Sequence, residues 1–235
     1  MKKLRIDVWS DIACPWCYVG KRRLEAALAQ FPHRDSVEVV WRAFELDSAA
    51  PRVRDPEVSY IERLSRKYGA TAAQAEAMVQ RMTEVAAADG LTFRFDRIRP
   101  GNTFDAHRIL HLAHELHMQD AVKERFLRAY MTEGEAIGEP EVLLRLATEA
   151  GLPEPEVRAL LAGDRYSSEV RADEQEARSL HISGVPFFVI AGCYGLSGAQ
   201  PSETILGAIS QAWETMEAAT ASFTEGAACG PDGCG

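Results

Sequence analysis

The sequence lacks the features that would place it in a membrane or on a nucleic acid. No stretch approaches the roughly 18 consecutive apolar residues that a membrane-spanning helix needs. Lys and Arg number 26 against 35 Asp and Glu, and the net charge of −9 opposes the basic surface that nucleic-acid binding requires. The first residues begin with positive charges, but Asp7 and Asp11 interrupt the apolar stretch of a secretory signal. We therefore expect a cytoplasmic protein without nucleic-acid or membrane partners.

Cysteine is scarce, and its placement restricts the chemistry. The 235 residues contain five cysteines, and in a reducing compartment these are not expected to form lasting structural disulfides. Cys14 and Cys17 form a C-x-x-C motif in the segment SDIACPWCYVG. A zinc site normally requires four ligands, and the sequence contains no second C-x-x-C. A redox couple is therefore favoured over a metal site, and we predict no metal or other bound cofactor.

The order of the predicted elements indicates a mixed α/β protein with an insertion. Residues 4–10 and 36–46 have strand composition, and the helical period between them predicts a βαβ unit with parallel strands. Residues from about 55 to 180 are predicted to be almost entirely helical, with Gly and Pro at the joints. Within them, Thr71 is predicted to cap the start of one helix and Gly90 to end it. Residues 184–198 predict a β-hairpin, followed by a last helix from 201 to about 218. We predict a discontinuous sheet domain, 1–50 and 182–220, a helical insertion, 51–181, and a flexible tail, 221–235.

The C-x-x-C motif lies where the first strand gives way to a helix, and this position predicts a reactive thiol. Unpaired backbone N–H groups and the positive end of the helix dipole favour a thiolate at Cys14. Pro15 suits the first helical position, and Cys17 follows one turn later within disulfide reach. The position predicts Cys14 as the nucleophile and Cys17 as the resolving residue. Trp16 brings neither a cation nor an imidazole, so we expect a mild, isomerase-like reduction potential.

The segment GVPFF, residues 184–188, predicts the other half of the site. A cis bond before Pro186 would expose the backbone of Val185 for pairing with an extended substrate. A trans proline that opens the strand is the commoner arrangement and stays open as an alternative. Phe187 and Phe188 are expected to point to opposite faces of their strand.

The sequence resembles the DsbA-like thioredoxin superfamily in the order and spacing of three segments, SDIACPWCYVG, GNTFDAHRILHLA and SGVPFFVIAGCYGLSGAQP. It is most similar to the FrnE-like branch of that superfamily, which comprises cytoplasmic bacterial disulfide oxidoreductases or isomerases. The resemblance covers residues from about 3 to 218. It implies a thioredoxin-like fold with a large all-helical insertion, Cys14 and Cys17 as the redox pair, and a cis bond between Val185 and Pro186.

The resemblance also implies which residues surround the redox pair. Substrate is expected to contact Trp16, Val185 and Pro186. Further candidates for the lining of the site are Pro15, Asn102, Thr103, His107 and Arg108. For Asn102 and Thr103, capping of the following helix is an equally good interpretation.

A second cysteine pair lies in the tail segment CGPDGC, residues 229–234. The four residues between the cysteines suit a type I turn, whose ends lie within about 7 Å. Cys229 and Cys234 can therefore reach disulfide distance and form an auxiliary redox couple, acting in cis or through a second molecule. An inert tail and a soft-metal pair are the alternatives.

Four histidines and one further cysteine have weaker functional interpretations. His107, His111, His114 and His117 recur on one helix and are compatible with a transition-metal site. Helical histidines without a matched carboxylate or thiol are more often surface or packing residues. Cys193, in the predicted hairpin turn, is interpreted as an unpaired thiol.

These features predict a thiol–disulfide oxidoreductase or protein disulfide isomerase. Its expected partners are protein thiols and disulfides, together with glutathione or a thioredoxin-type reductant. The alternative is a glutathione-dependent isomerase of the 2-hydroxychromene-2-carboxylate type. Such isomerases resemble the family in fold but carry a serine in place of the first cysteine, whereas this chain has Cys14. A thiol-based metal buffer using Cys229 and Cys234 is a third, non-enzymatic interpretation.

Overall fold

Residues with strand composition near both ends of the chain form one mixed sheet. Strand β1 (Leu4–Ser10) continues into helix α1 (Pro15–Gln30), and a short 3-10 turn (Arg34–Ser36) leads to strand β2 (Val37–Ala43). Strands β3 (Phe187–Ile190) and β4 (Tyr194–Ser197) follow much later. The computed structural model describes residues 3–52 and 58–225. The sheet order is β2-β1-β3-β4, with β1 parallel to β2 and the other pairs antiparallel, which confirms the predicted βαβ unit and hairpin.

The segment between β2 and β3 is predominantly helical, as predicted. Helix α3 (Ala72–Ala88) illustrates how local signals set the ends of these helices. It begins with a capping box between Thr71 and Gln74 and ends before Gly90, whose positive φ of 74° suits a glycine. A π-helical turn (Ala129–Glu133) continues α5. Residues 44–52 and 58–186, the part of this segment that the structure describes, contain seven α-helices: α2 (Tyr60–Tyr68), α3 (Ala72–Ala88), α4 (Phe104–Glu115), α5 (Gln119–Arg128), α6 (Pro140–Glu149), α7 (Glu154–Ala162) and α8 (Ser167–Ser179).

The last helix, α9 (Ser202–Glu225), is longer than predicted. The expected end near residue 218 was wrong because the following residues, Ala, Ser, Phe, Thr and Glu, contain neither glycine nor proline and can continue a helix. The first glycine after this stretch is Gly226. The tail that was expected to begin at 221 therefore starts within α9.

Two apolar cores share helix α1. One lies between the sheet, α1 and α9 and includes Ile6, Leu24 and Ile205. The other lies among the helices of the insertion and includes Val19, on the opposite face of α1. Because α1 is buried on both sides, the position of its first turn is fixed by both parts of the fold.

The helical insertion covers the open edge of the sheet at β2. The Gln119 side-chain amide accepts a hydrogen bond from Trp41 N and donates one to Trp41 O, both at 2.9 Å. Two residues further along β2, the N–H of Ala43 donates a hydrogen bond to a carboxylate oxygen of Asp173 at 2.8 Å. These side chains satisfy backbone groups that an edge strand would otherwise leave unpaired. No helix in the described part of the chain is both long and apolar enough to span a membrane.

Candidate active site

The two cysteines of the C-x-x-C motif lie at the start of α1. Cys14 is the N-cap, with extended φ and ψ of −94° and 114°, and Pro15 occupies the first helical position. The N–H of Cys14 donates to Asp11 O at 3.3 Å, and that of Cys17 to Cys14 O at 3.1 Å. Both thiols are free. The predicted helix start is confirmed, because proline fits this position and the N-cap residue need not be helical.

The segment before β3 faces the first cysteine. The Val185–Pro186 peptide bond is cis, as the resemblance implies. Cys14 Sγ lies 3.5 Å from the carbonyl oxygen of Val185, so its single S–H can donate either there or to the Cys17 sulfur. The carbonyl oxygen of Pro186 accepts a hydrogen bond from Gly198 N at 2.8 Å. Phe188 is fully buried and Phe187 partly so, as expected for opposite faces of a strand.

Gly20 allows Pro186 to lie directly against α1. A Cβ atom at residue 20 would come within 2.8 Å of Pro186 Cγ and 3.4 Å of Phe188 Cζ. The first of these distances is too short for carbon atoms in contact, and the proline ring cannot rotate away. The glycine therefore sets the separation between the helix that carries the cysteines and the strand that carries Val185.

Replacement of Gly20 by alanine is expected to lower the free energy of unfolding by about 1–3 kcal/mol, because it overpacks this contact. We also expect slower thiol–disulfide exchange, since Pro186 and Val185 would be displaced from Cys14. Urea unfolding and an exchange assay measure the two effects. The control is Gly184→Ala in the same segment, where an added Cβ would have no atom within 4 Å. An equal effect of the two substitutions would contradict the steric explanation.

A groove of about 930 Å³ passes over the first cysteine. Cys14 lies at its floor with 5% of its surface exposed, whereas Cys17 is fully buried and does not line it. Trp16, 40% exposed, forms part of the rim with Pro15. The other apolar side chains along the groove include Leu46, Tyr60, Leu64, Tyr68, Met78 and Met82. A substrate sulfur can therefore reach Cys14 but not Cys17.

A buried carboxylate fixes the loop between β1 and Cys14. Asp11 accepts hydrogen bonds from the backbone N–H groups of Leu46, at 2.8 Å, and Ala13, at 3.3 Å. His107 Nε2 lies 3.5 Å from the same carboxylate. Burial raises the pKa of Asp11, but His107 and the two backbone donors outweigh it, so that the pKa lies below its usual value. Asp11 is therefore ionised and holds the loop in place.

The predicted lining residues of the insertion divide into two groups. Thr103 lines the groove. Asn102 supplies the capping bond, since its Oδ1 accepts Phe104 N at 2.8 Å while its Nδ2 donates to Glu45 at 3.2 Å. Thr103 occupies the N-cap position, but its side chain makes no capping bond.

His107 and Arg108 do not line the groove, and this part of the prediction was wrong. His107 is buried behind Asp11. The guanidinium of Arg108 donates to Asp105 at 2.9 Å and to the carbonyls of Leu160 and Gly163, both at 2.7 Å. It joins α4 to α7, because a buried guanidinium needs several acceptors at once.

The two thiols share one hydrogen bond, and their pKa values move apart. Donation to the Cys17 sulfur raises the pKa of Cys14, and burial raises it further. Burial also raises the pKa of Cys17, but the hydrogen bond from Cys14, the Lys123 ammonium and the Ser10 hydroxyl outweigh this, and the net pKa is lowered. The sequence predicts stabilisation of a thiolate by the start of α1 alone. The structure adds the ammonium of Lys123, which comes from a distant helix.

Lys123 is the residue near this site that the sequence reasoning missed. Its side chain is fully buried on α5, beside the redox pair. The buried face of α5 comprises Gln119, Val122, Lys123, Phe126 and Leu127. A lysine in the middle of such an otherwise core-facing stripe departs from the pattern expected of a buried helix face. This departure is visible in the sequence and could have identified Lys123 as a candidate functional residue.

The remaining candidates lie away from the groove or outside the described residues. His111 pairs with Asp173 at 3.1 Å, and His114 and His117 are exposed. Across residues 3–52 and 58–225, no group of three or more His, Cys, Asp or Glu side chains is arranged to hold a metal ion. Cys193 is an exposed free thiol in the hairpin turn. Cys229 and Cys234 lie outside the described residues.

Comparison with known proteins gives both a family and structural relatives. The profile of the DSBA-like thioredoxin domain family matches residues 5–210. Uncharacterized protein YwbO of Bacillus subtilis (strain 168) is 30% identical over 193 residues, which cover 80% of this chain and 86% of that protein. A crystal structure described as a probable DsbA oxidoreductase from Streptomyces coelicolor is 45% identical, with a TM-score of 0.84 over 99% of this chain and 98% of that chain.

A more distant structure has the same fold. The cytosolic disulfide reductase DsbM from Pseudomonas aeruginosa is 17% identical, with a TM-score of 0.58 over 92% of this chain and 98% of that chain. The resemblance inferred from the sequence motifs is confirmed. The chain is therefore a member of the DSBA-like thioredoxin domain family and, in kind, a thiol–disulfide oxidoreductase.

Proposed function

We propose that this protein exchanges disulfides with extended segments of other proteins in the cytoplasm, as an oxidoreductase or protein disulfide isomerase. The observation that carries the proposal is the unequal access of the two sulfurs. Cys14 lies on the floor of the groove beside the Val185 carbonyl, and Cys17 lies behind it without exposure. Such an arrangement lets one sulfur attack and the other resolve.

The proposed reaction with a substrate disulfide proceeds in two exchanges. The proton of Cys14 passes to Cys17, and Cys14 Sγ attacks one substrate sulfur. The bond between them forms as the substrate S–S bond breaks, and the second substrate sulfur leaves as a thiolate. The released substrate thiolate takes up the proton from Cys17. Cys17 then attacks Cys14 Sγ, forms the Cys14–Cys17 disulfide and releases the first substrate sulfur as a thiolate. In isomerisation, a second substrate thiolate attacks the mixed disulfide instead and releases Cys14.

The groove supports a polypeptide substrate. It is long and predominantly apolar, with Trp16 at the rim and the Val185 backbone beside the reacting sulfur. An extended segment can pair with backbone groups at residue 185 while its side chains occupy the apolar surface. Glutathione or a thioredoxin-type reductant is proposed to restore the reduced pair.

The proposal is tested by a redox titration in glutathione buffers, with free thiols alkylated and each cysteine quantified by mass spectrometry. We expect Cys14 and Cys17 to titrate together as one couple. We also expect reactivation of a protein with scrambled disulfides at catalytic concentrations. Titration as a couple without any reactivation would limit the activity to small thiols, and failure of Cys14 and Cys17 to titrate would refute the proposal.

The cysteines of the tail are proposed to act through a second molecule. Helix α9 comprises 24 residues, which span about 36 Å. Its start lies near the site, where Gly198 contacts Pro186, and Trp213 packs on Phe31 at the far end of α1. Four residues from Glu225 to Cys229 reach at most about 14 Å. Intramolecular return to Cys14 is therefore too far while α9 keeps its length.

The double substitution Cys229→Ser and Cys234→Ser is expected to leave the single-turnover rate of Cys14 unchanged. If the tail pair is an auxiliary couple, the steady-state rate with glutathione should fall severalfold, and the loss should depend on enzyme concentration. Stopped-flow tryptophan fluorescence follows the first rate, and a coupled glutathione assay follows the second. A concentration-independent loss would indicate exchange within one molecule.

A further inference from the structure

Lys123 carries a charge that is fully buried on α5. Its side chain has no exposed surface, Nζ donates to Ser10 O at 3.3 Å, and the ammonium lies 5.5 Å from the centre of the Trp41 ring. Within the described part of the chain it makes no salt bridge to Asp or Glu. Buried lysines usually have such a partner.

Lys21 shows how the same protein buries a lysine for structural purposes. Its side chain is only 1% exposed, but its ammonium contacts three carboxylates, those of Glu25, Asp120 and Glu124. Lys21 and Lys123 are therefore equally buried and differ in what neutralises them. Because no carboxylate contacts the Lys123 ammonium directly among the described residues, another negative group is expected beside it.

The groups that face Lys123 identify that negative charge. From α1 and the loop before it, Cys17, Cys14 and Asp11 attract the ammonium, Cys17 most strongly, and Lys21 repels it. From β2 the uncharged Trp41 ring approaches. Burial lowers the pKa of Lys123 to about 8, and the nearby thiolates and Asp11 limit that decrease. Near neutral pH the ammonium is thus mostly retained, and Cys17 is foremost among the groups that attract it.

We propose that Lys123 is a positioning residue of the redox pair, whose ammonium stabilises Cys17 as the thiolate that leaves when the Cys14–Cys17 bond is opened. The proposal rests on the proposed function, since it assumes that this pair is a working couple. It specifies the direction of exchange that the protein favours, because a charge that stabilises the open pair makes the disulfide a stronger oxidant.

The step concerned is the opening of the disulfide by a substrate thiolate. The substrate sulfur attacks Cys14 Sγ and bonds to it, the Cys14–Cys17 bond breaks, and its electron pair remains on Cys17 beside Lys123. A second substrate thiolate then attacks the first substrate sulfur, forms the substrate disulfide and releases Cys14, which takes up a proton. Two substrate thiols are oxidised and the protein disulfide is reduced. A leaving thiolate of lower pKa leaves faster, so Lys123 accelerates the first step as well.

The test is the equilibrium of the disulfide with glutathione, compared among wild type, Lys123→Met and Lys21→Met. For Lys123→Met we expect the equilibrium constant for oxidation of glutathione to fall about tenfold, or about 30 mV for a two-electron couple. Lys21→Met, which also removes a buried lysine, should stay within about twofold of wild type. An unchanged equilibrium constant in folded Lys123→Met overturns the proposal. Lys123→Gln serves the same comparison if the methionine variant does not fold.

A second measurement separates an electrostatic effect from a packing effect. In a background in which Cys14, Cys193, Cys229 and Cys234 are all replaced by serine, the absorbance of the thiolate at 240 nm reports the titration of Cys17 alone. Lys123→Met should shift this titration upward by about one pH unit or more, and Lys123→Arg should restore most of the shift. No shift overturns the proposal. If the wild-type pair does not titrate with glutathione at all, the proposed function fails instead, and the two failures are thereby distinguished.

Discussion

Replacement of Cys14 by serine is expected to abolish thiol–disulfide exchange, with a loss on the order of 10³-fold or more in the rate of reaction with a disulfide substrate. The hydroxyl of serine is a far weaker nucleophile than a thiolate, and Cys17 has no exposed surface through which a substrate could reach it. Replacement of Cys17 by serine should have a different effect. Cys14 should still attack, and the mixed disulfide with the substrate should accumulate because nothing resolves it.

Non-reducing electrophoresis and mass spectrometry of the trapped species distinguish these outcomes. The matched control is Cys193→Ser, which removes an exposed free thiol outside the groove and should leave the rate unchanged. Accumulation of the mixed disulfide in Cys14→Ser rather than in Cys17→Ser would reverse the assigned roles. A lower exchange rate in Cys193→Ser would indicate that Cys193, in the hairpin turn, takes part in the reaction.

Replacement of Asp173 by alanine is expected to lower the free energy of unfolding by about 3–5 kcal/mol. The carboxylate of Asp173 accepts hydrogen bonds from Ala43 N and Arg42 Nη1, both at 2.8 Å, and lies 3.1 Å from His111 Nε2. It is almost fully buried. Its removal leaves a backbone donor and two side chains of the buried network without this acceptor, and it removes the side-chain link between α8 and the edge of the sheet.

Urea denaturation measures this loss, and Glu176→Ala provides the comparison. Glu176 also pairs with Arg42, at 3.7 Å, but its side chain is 48% exposed, so a change within about 1 kcal/mol is expected. Equal losses for the two variants would show that the network at Asp173 contributes no more than a surface ion pair.

Stability is also expected to fall in acid through this group. Burial raises the pKa of Asp173, but His111, Ala43 N and Arg42 outweigh it, and the folded-state pKa lies below its usual value. A carboxyl group with a lowered pKa binds fewer protons in the folded state than in the unfolded state. Its contribution is therefore complete above about pH 4 and is lost as the pH falls through the folded-state value. Urea unfolding as a function of pH should show a smaller acid-induced loss in Asp173→Ala than in wild type.

The sequence predicted elements where local rules decide them. Thr71 and Gly90 delimit α3 because a capping box and a left-handed glycine are local features. Pro15 and Cys14 define the start of α1 for the same reason. The end of α9 was misplaced because no strong stop signal precedes Gly226, and small polar residues are compatible with both a helix and a coil.

The residues misassigned at the site are those whose surroundings come from far along the chain. Arg108 matches the motif of the insertion, yet its acceptors belong to residues 160–165, on and just after α7. Gly20 is an ordinary helical glycine in the sequence, and its importance follows from the proline ring that lies against it. In both cases the property depends on which distant backbone approaches the side chain, and periodicity carries no information about this.

By itself, the sequence determined the βαβ unit, the hairpin, the helical insertion and the placement of a dithiol at a helix start, because each follows from residue order and local conformational preference. Only the tertiary structure decided which sulfur the groove reaches and which sulfur the buried charge favours. Access depends on the groove between α1, α2 and α3, and the charge depends on Lys123, which α5 brings beside Cys17 from about 100 residues away. Electrostatic interactions act through space, and their strength is set by distances and burial that only the folded chain defines.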